Sequence, residues 1–253
     1  MDTRVYLTGR VGLEVNGDLV IDEHHFRGRQ ARLVFAYLVS ERRRPVPREE
    51  LAEVVWPGET PPAWETALSA LVSKLRSLLT STGVCPAYGS ISRGSGHYEL
   101  HLPADTWVDL EAASSAIDEA EGALRAGDPR RAWGPANVAA TIARRPFLPG
   151  SSSEWVDSQR RKLQRQTSRA LDCLAKVWLS TGDADLAVEA ATDAVALDNF
   201  RESSYRLLMQ AHAAGGNRAE AVRVYHRLRG LLAEELGTDP SKDTEELYLE
   251  LLS

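Results

Sequence analysis

Apolar and polar residues alternate over short runs at the start of the chain, at Val5 to Leu7, Val11 to Val15 and Leu19 to Ile21, and Asn16-Gly17 stands between the last two. Alternation of period two marks half-buried strands, and Asn-Gly between two such runs is a hairpin signal, so a small antiparallel sheet is predicted. The period then changes. Ala31, Val34, Phe35, Leu38 and Val39 recur at helical spacing within Arg29 to Ser40, and a basic, proline-bounded turn, Arg42 to Pro47, comes next. Leu51, Ala52, Val54 and Val55 give a second helix its apolar face, with Pro47 in its first turn and Trp56-Pro57 closing it. Pro57, Pro61 and Pro62 make the following stretch an elbow, because proline removes a backbone donor and restricts the residue before it.

The third helix, Thr66 to Thr80, has two distinct faces. At about 100° per residue, Leu68, Leu71, Val72, Leu75, Leu78 and Leu79 form one stripe, while Thr66, Ser69, Ser73, Arg76, Ser77 and Thr80 form the other, with Lys74 at its edge. The first stripe requires a core. The second is small and rich in hydroxyls, and it carries cations, which suits close approach to a nucleic-acid backbone. Beyond it, Ile91 to Leu102 reads as two strands around Gly94-Ser95-Gly96. Two short helices, a turn, an amphipathic helix and a glycine-rich hairpin, in that order, predict a winged helix-turn-helix domain. In such a domain the third helix enters the major groove and the hairpin reaches an adjacent backbone or minor groove.

Pro103-Ala104-Asp105 marks a break, giving an N-terminal domain over 1–103 and a second domain over 104–253. Strand signals then vanish and alanine-rich helical periodicity takes over. Trp107 to Arg125 and Pro129 to Ala143 read as a helical pair joined at Gly127-Asp128, a C-cap followed by an N-cap. Arg144 to Trp155 is an irregular internal loop. Glu154 to Leu179 is a long helix whose Arg160, Arg161, Lys162, Arg165 and Arg169 make a solvated basic face. Gly182-Asp183 and Gly216-Asn217 stand 34 positions apart and introduce similar segments, with Ala187 matching Ala221 and Val188 matching Val222. That is the tetratricopeptide period, and stacked units with Glu245 to Leu252 as a cap predict a helical array with a groove. The fold class is therefore mainly α with a small β component.

Composition narrows the function. The chain has 253 residues and a formal net charge of −6, which argues against indiscriminate coating of nucleic acid but leaves room for a local basic face. No apolar run approaches the ~20 residues that span a bilayer, and the first residues lack the apolar core of a secretory signal, so a cytoplasmic protein without membrane contact is expected. Cys85 and Cys173 are far apart, in no metal or redox spacing, and read as small packing residues. No glycine-rich loop ends in Lys-Ser or Lys-Thr, and His97 and His101 lack a third ligand nearby. No catalytic constellation, cofactor or metal is expected, and the chain is not read as an enzyme.

Several of these residues also carry a family resemblance. Gly28, Arg32, Leu33, the run Pro45 to Leu51, Val55-Trp56, Pro61-Pro62, Ala67-Leu68, Val72 to Arg76 and the Gly96 to Leu100 strand resemble the DNA-binding domain of the Streptomyces antibiotic regulatory protein type. That domain is similar to the winged helix of OmpR-like response regulators. Pro146-Phe147-Leu148, Trp155, Asn199 to Glu202, Leu208-Met209, Gly216 to Ala221, Tyr225 and the run Glu234 to Ser241 resemble the bacterial transcriptional activation domain that follows it in such regulators. Ser69 and Leu71 stand where relatives are often more polar, and Asp198-Asn199 replaces a common His-Pro pair.

The resemblance implies a sequence-specific activator that binds direct repeats in promoters, as a homodimer at least on DNA, and holds RNA polymerase there to control a biosynthetic gene cluster such as one for an antibiotic. Candidate contacts to double-stranded promoter DNA are Thr66, Ser69, Ser73, Lys74, Arg76 and Ser77 on the third helix, with Arg42, Arg43, Arg44 and Arg93 on phosphates. The alternative is a tetratricopeptide-like interaction scaffold whose helix no longer recognises DNA.

Overall fold

A computed structural model describes residues 2–84, 91–94 and 96–253, with the backbone alone for Arg93. Cys85 lies outside these. The chain divides into two compact units, one of residues 1–112 with 145–161 and the other of 113–144 with 162–253.

The first unit opens with β1 (Thr3–Tyr6), β2 (Gly12–Val15) and β3 (Asp18–Ile21), antiparallel neighbours with Val15 opposite Asp18 across the turn. Asn16 and Gly17 both have positive φ (51° and 92°), the geometry of a tight hairpin turn, which asparagine tolerates and glycine, lacking a Cβ, adopts freely. Val5, Leu13 and Ile21 are fully buried from this sheet. A fourth strand, β4, is a later two-residue segment: Val46–Pro47 pairs with a second sheet instead, next to β6 (His97–Leu100) and β5 (Ile91–Arg93), in the order β4-β6-β5. The first sheet is completed by β7 (Trp107–Val108), which runs parallel to β1.

Trp107 and Val108 are therefore a strand, where helical periodicity predicted a helix start, and helix α4 begins at Asp109 and runs to Arg125. Pairing with β1 overrides the local helical preference there. Asp109 is fully buried at this junction; Oδ2 accepts from the backbone N–H of Leu7 and Thr8 and from the Thr8 hydroxyl at 2.8–2.9 Å, and Oδ1 accepts from Leu110 N–H. Burial pushes the Asp109 carboxyl above the usual carboxylate range, against these four donors, which favour the anion.

Helices α1 (Arg29–Ser40), α2 (Arg48–Val55) and α3 (Trp64–Ser81) bury Phe35, Leu38, Leu51, Leu68 and Leu79 between them. Replacing one of these leucines by alanine costs about 2–5 kcal/mol in such surroundings. The loop Arg145 to Ser153 belongs to this unit too. Thr8 bridges Phe147, Gly9 N–H donates to Pro146 O at 2.8 Å, and the Arg160 guanidinium donates to the carbonyls of Phe147, Leu148 and Ser151. Arg160 is thus a loop clamp, in place of a member of a solvated face.

The second unit contains the rest of α4, α5 (Pro129–Ala143), the C-terminal part of α6 (Glu154–Thr181), α7 (Ala184–Leu197), α8 (Glu202–Ala214), α9 (Arg218–Leu236) and α10 (Lys242–Leu252). Asp128 caps α5 by accepting from Arg131 N–H at 3.0 Å. Ala187 and Ala221, the pair matched by the repeat, are both fully buried, and their small side chains let successive helices pack closely. Arg169 is again engaged: it donates to Glu121 and Asp118. Gly237 ends α9 with φ 65°, a left-handed turn, and Ser241 and Thr244 at the start of α10 both donate to Glu202 of α8. Stacked Tyr225 and Tyr248 rings, 3.9 Å apart, add an aromatic contact between α9 and α10. No helix among the described residues is long and apolar enough to cross a membrane.

Candidate nucleic-acid interface

The site is built on α3. Its first turn is set by the prolines before it: Trp64 N–H donates to Pro61 O at 2.9 Å, and Glu65 sits where a helix N-terminus favours negative charge. Arg48 steadies this end from α2. Its guanidinium lies 5.8 Å from the Trp64 ring centre and donates to Glu65 at 3.5 Å, and its own backbone N–H donates to Gly96 O in the β5–β6 hairpin. The hairpin and the start of α3 therefore share one anchor.

Along α3, Leu68, Val72, Leu75 and Leu79 face the core, with Leu71 and Leu78 half-buried at its margin. Thr66, Ala70, Ser73, Lys74, Ser77 and Thr80 are exposed. Four of the expected contact residues, Thr66, Ser73, Lys74 and Ser77, thus share one open strip. Ala70 lies on it as well, and its bare methyl lets a partner approach the helix closely. The Ser77 hydroxyl donates to Ser73 O at 3.1 Å within the helix, so it engages a partner only by exchanging that bond.

Ser69 and Arg76 lie at the margin. Ser69 Oγ stands 3.5 Å from the hydroxyl of the buried Tyr98. Arg76 Nε donates to Ile91 O at 2.8 Å, which ties α3 to β5. At 100° per residue both belong to the polar half of the wheel, but the hairpin closes over that edge.

The basic turn before α2 is arranged differently. Arg42, only 13% exposed, binds both carboxylate oxygens of Glu111 and donates to Thr106 O at 3.3 Å. Arg43 reaches the same carboxylate at 3.3 Å with its side chain largely in solvent. Arg44 donates to Glu41 at 2.7 Å and to Glu50, and this hydrogen bonding holds the Glu50 carboxyl below the usual glutamate range. Tyr37 donates its hydroxyl to Glu50 as well. Arg93 ends β5 opposite Tyr98, and its side chain lies outside the described residues.

Sequence periodicity did not single out Arg27. It is exposed in the loop between β3 and α1, beside Lys74, and forms no ion pair among the described residues. The missing signal is spatial, since a loop cation gains meaning only from what packs beside it. His101 meets Ser92 Oγ at 2.9 Å, and no group of three or more His, Cys, Asp or Glu among the described residues is placed to hold a metal ion.

An open polar strip on a helix whose other face is buried, next to a paired hairpin, is the arrangement the winged helix-turn-helix reading requires. Comparison with known proteins agrees with it. Residues 108–252 match the family described as the bacterial transcriptional activator domain. The regulatory protein AfsR of Streptomyces coelicolor is 31% identical over 88% of this chain, and the transcriptional regulatory protein MoaR1 of Mycobacterium tuberculosis is 27% identical over 87%. The match takes in 22% of AfsR and 71% of MoaR1, so the chain spans about a fifth of the first of these relatives. In fold it is similar to Mycobacterium tuberculosis EmbR, solved in complex with a low affinity phosphopeptide, with a TM-score of 0.87, 24% identity, and 99% of this chain and 65% of that one covered. Both of these relatives are named as regulatory proteins. The chain belongs to the bacterial transcriptional activator domain family and is of the Streptomyces antibiotic regulatory protein type.

Proposed function

We propose that this chain is a cytoplasmic transcriptional activator whose residues 1–103 bind double-stranded promoter DNA and whose residues 104–253 act on the transcription machinery. The observation that carries the reading is the exposed strip of α3, with Thr66, Ser73, Lys74 and Ser77 in line and Lys74 forming no ion pair among the described residues. Short hydroxyls and a single cation suit a major groove, where hydroxyls serve phosphates and base edges and a lysine serves guanine or phosphate. Ser69 and Arg76 contribute chiefly by setting the hairpin against α3, and Arg42 and Arg44 chiefly by holding their turn in shape. Arg43 and Arg93 remain candidates for phosphate contacts.

The family supports the remaining parts of the proposal: binding at direct repeats as a homodimer, recruitment of RNA polymerase, and control of a biosynthetic gene cluster. Selection of bound fragments from genomic DNA, followed by titration of a selected duplex against random duplex near physiological salt, tests it. Preferential binding of the selected duplex, weakened by about tenfold or more in Lys74→Ala, is expected if Lys74 contacts a base edge. Equal affinity for selected and random duplex would leave the protein-binding scaffold as the better reading.

A further inference from the structure

Beside the exposed strip of α3 the first unit contains a half-open cavity of about 390 Å³. Phe26, Ala31, Leu75 and Leu78 form its apolar floor; the first three are at most 6% exposed. Its rim carries Arg27 and Lys74, both exposed, and neither forms an ion pair among the described residues. His25 also lines it, but its ring is held by Asp22 at 2.7 Å. Other arginines of this unit are engaged: Arg32 pairs with Glu23, Arg29 donates to Gly150 O and Arg76 donates to Ile91 O. Arg27 and Lys74 thus set two exposed cations over an apolar floor.

We infer that this cavity is a binding site for a small amphipathic anion, an aromatic or branched apolar body bearing one phosphate or carboxylate, which competes with DNA for Lys74. The volume lies in the range of small-molecule sites, and an apolar floor with a few convergent polar groups is their usual composition. The body buries against Phe26, Leu75 and Leu78, and the head accepts charge-assisted hydrogen bonds from Arg27 and Lys74. Because Lys74 also lies on the strip assigned to DNA, one side chain serves two anions. A bound ligand withdraws it from the duplex and places negative charge at the edge of α3. The competition rests on the DNA-binding reading; the cavity's affinity for an anion does not.

The two parts are tested separately. Calorimetric titration of the chain alone uses phenyl phosphate and phenylacetate as the two head-group arms, with benzyl alcohol as the uncharged control. At least one anion is expected to bind with a millimolar or tighter Kd, and benzyl alcohol about tenfold more weakly. Arg27→Gln and Lys74→Gln each weaken the anion about tenfold, and Leu78→Trp, which fills the floor, removes binding with an unchanged thermal midpoint. Should Leu78→Trp fail to fold, the two rim variants decide, since both side chains are exposed. Absence of binding by either anion, or binding that neither rim variant weakens, overturns the site. For a duplex the chain binds, the anion at ten times its Kd lowers duplex affinity about tenfold; an unchanged affinity with the anion bound overturns the competition. A chain that binds no duplex refutes the DNA reading, while the titration of the chain alone still decides the cavity.

Discussion

Replacing Asp109 by alanine removes one carboxylate and strands three buried donors. Leu7 N–H, Thr8 N–H and the Thr8 hydroxyl all converge on Oδ2, at 2.9, 2.8 and 2.8 Å, and Leu7 and Thr8 are at most 1% exposed. Each unsatisfied buried donor costs about 1–3 kcal/mol. The sum is moderated because the variant no longer buries a charge and because water enters the space left behind. A net loss of about 3–5 kcal/mol is expected, a large share of the roughly 5–15 kcal/mol that a domain has.

Asp109→Asn has the same outline and keeps one acceptor, which serves the three donors if its carbonyl takes the place of Oδ2. Its amide then faces Leu110 N–H, donor against donor. Its loss should be smaller, about 1–2 kcal/mol. Urea unfolding followed by circular dichroism measures both, and native-state hydrogen exchange at Leu7 and Thr8 locates the effect. An alanine variant within about 1 kcal/mol of the parent, or one less damaging than asparagine, would refute the view that this carboxylate fastens the start of α4 to the β1 strand end.

Other expectations concern α3 and acid stability. Arg76→Met loses the bond to Ile91 O and should lower stability by about 1–2 kcal/mol, as read by thermal melting, together with duplex affinity. Lys74→Gln should leave melting unchanged while reducing the slope of log affinity against log salt by about 0.9, provided the lysine contacts one phosphate; an identical slope removes that contact. Glu50 and Glu121 are held below the ordinary glutamate value of 4.5 by hydrogen bonds from Arg44 and Arg169, so the stability they contribute is present above 4.5 and is lost as pH falls through their folded values. Asp109 has the opposite sign. Its folded pKa is raised above 3.8, so its contribution is full below 3.8 and fades as pH rises through the folded value, which makes Asp109→Asn more costly in acid than at neutral pH. Urea midpoints for parent and variants across that range measure both effects.

Helices with a clear stripe were legible at residue resolution. Arg29 to Ser40 and Pro129 to Ala143 form as the periodicity predicts, because each stripe finds a core and each start has a proline or turn to define it. Asn16-Gly17 placed its hairpin for the same local reason. Val46–Pro47 and Trp107–Val108 were not legible as strands, since two residues have no period and exist as strands only through distant partners. The loop after Arg144 reads as an irregular internal loop, and its bonds to Thr8 and Gly9 are long-range pairings that no local pattern reveals.

The candidate site was legible in its face and less so in its individual charges. Helical spacing identifies Thr66, Ser73, Lys74 and Ser77 as sharing a side, but it does not reveal that Ile91 O holds Arg76 or that Glu111, far along the chain, holds Arg42. An arginine run in sequence is a statement about composition, and its availability depends on where the carboxylates fold. Arg27 illustrates the converse: in the sequence it is one of several clustered arginines, and the fold sets it on the same cavity as Lys74.

The central claim, that the open strip of α3 lies against a duplex, is tested most directly by Ser73→Glu. Ser73 is exposed, so the variant should melt as the parent does, yet it sets a carboxylate against the phosphates in the middle of the strip. Equilibrium titration of a selected promoter duplex near physiological salt is predicted to show a loss of affinity of about a hundredfold or more, on the order of 3 kcal/mol for a like charge forced into the interface. An affinity equal to the parent's would contradict the account and send the search for the DNA-binding surface elsewhere on the chain.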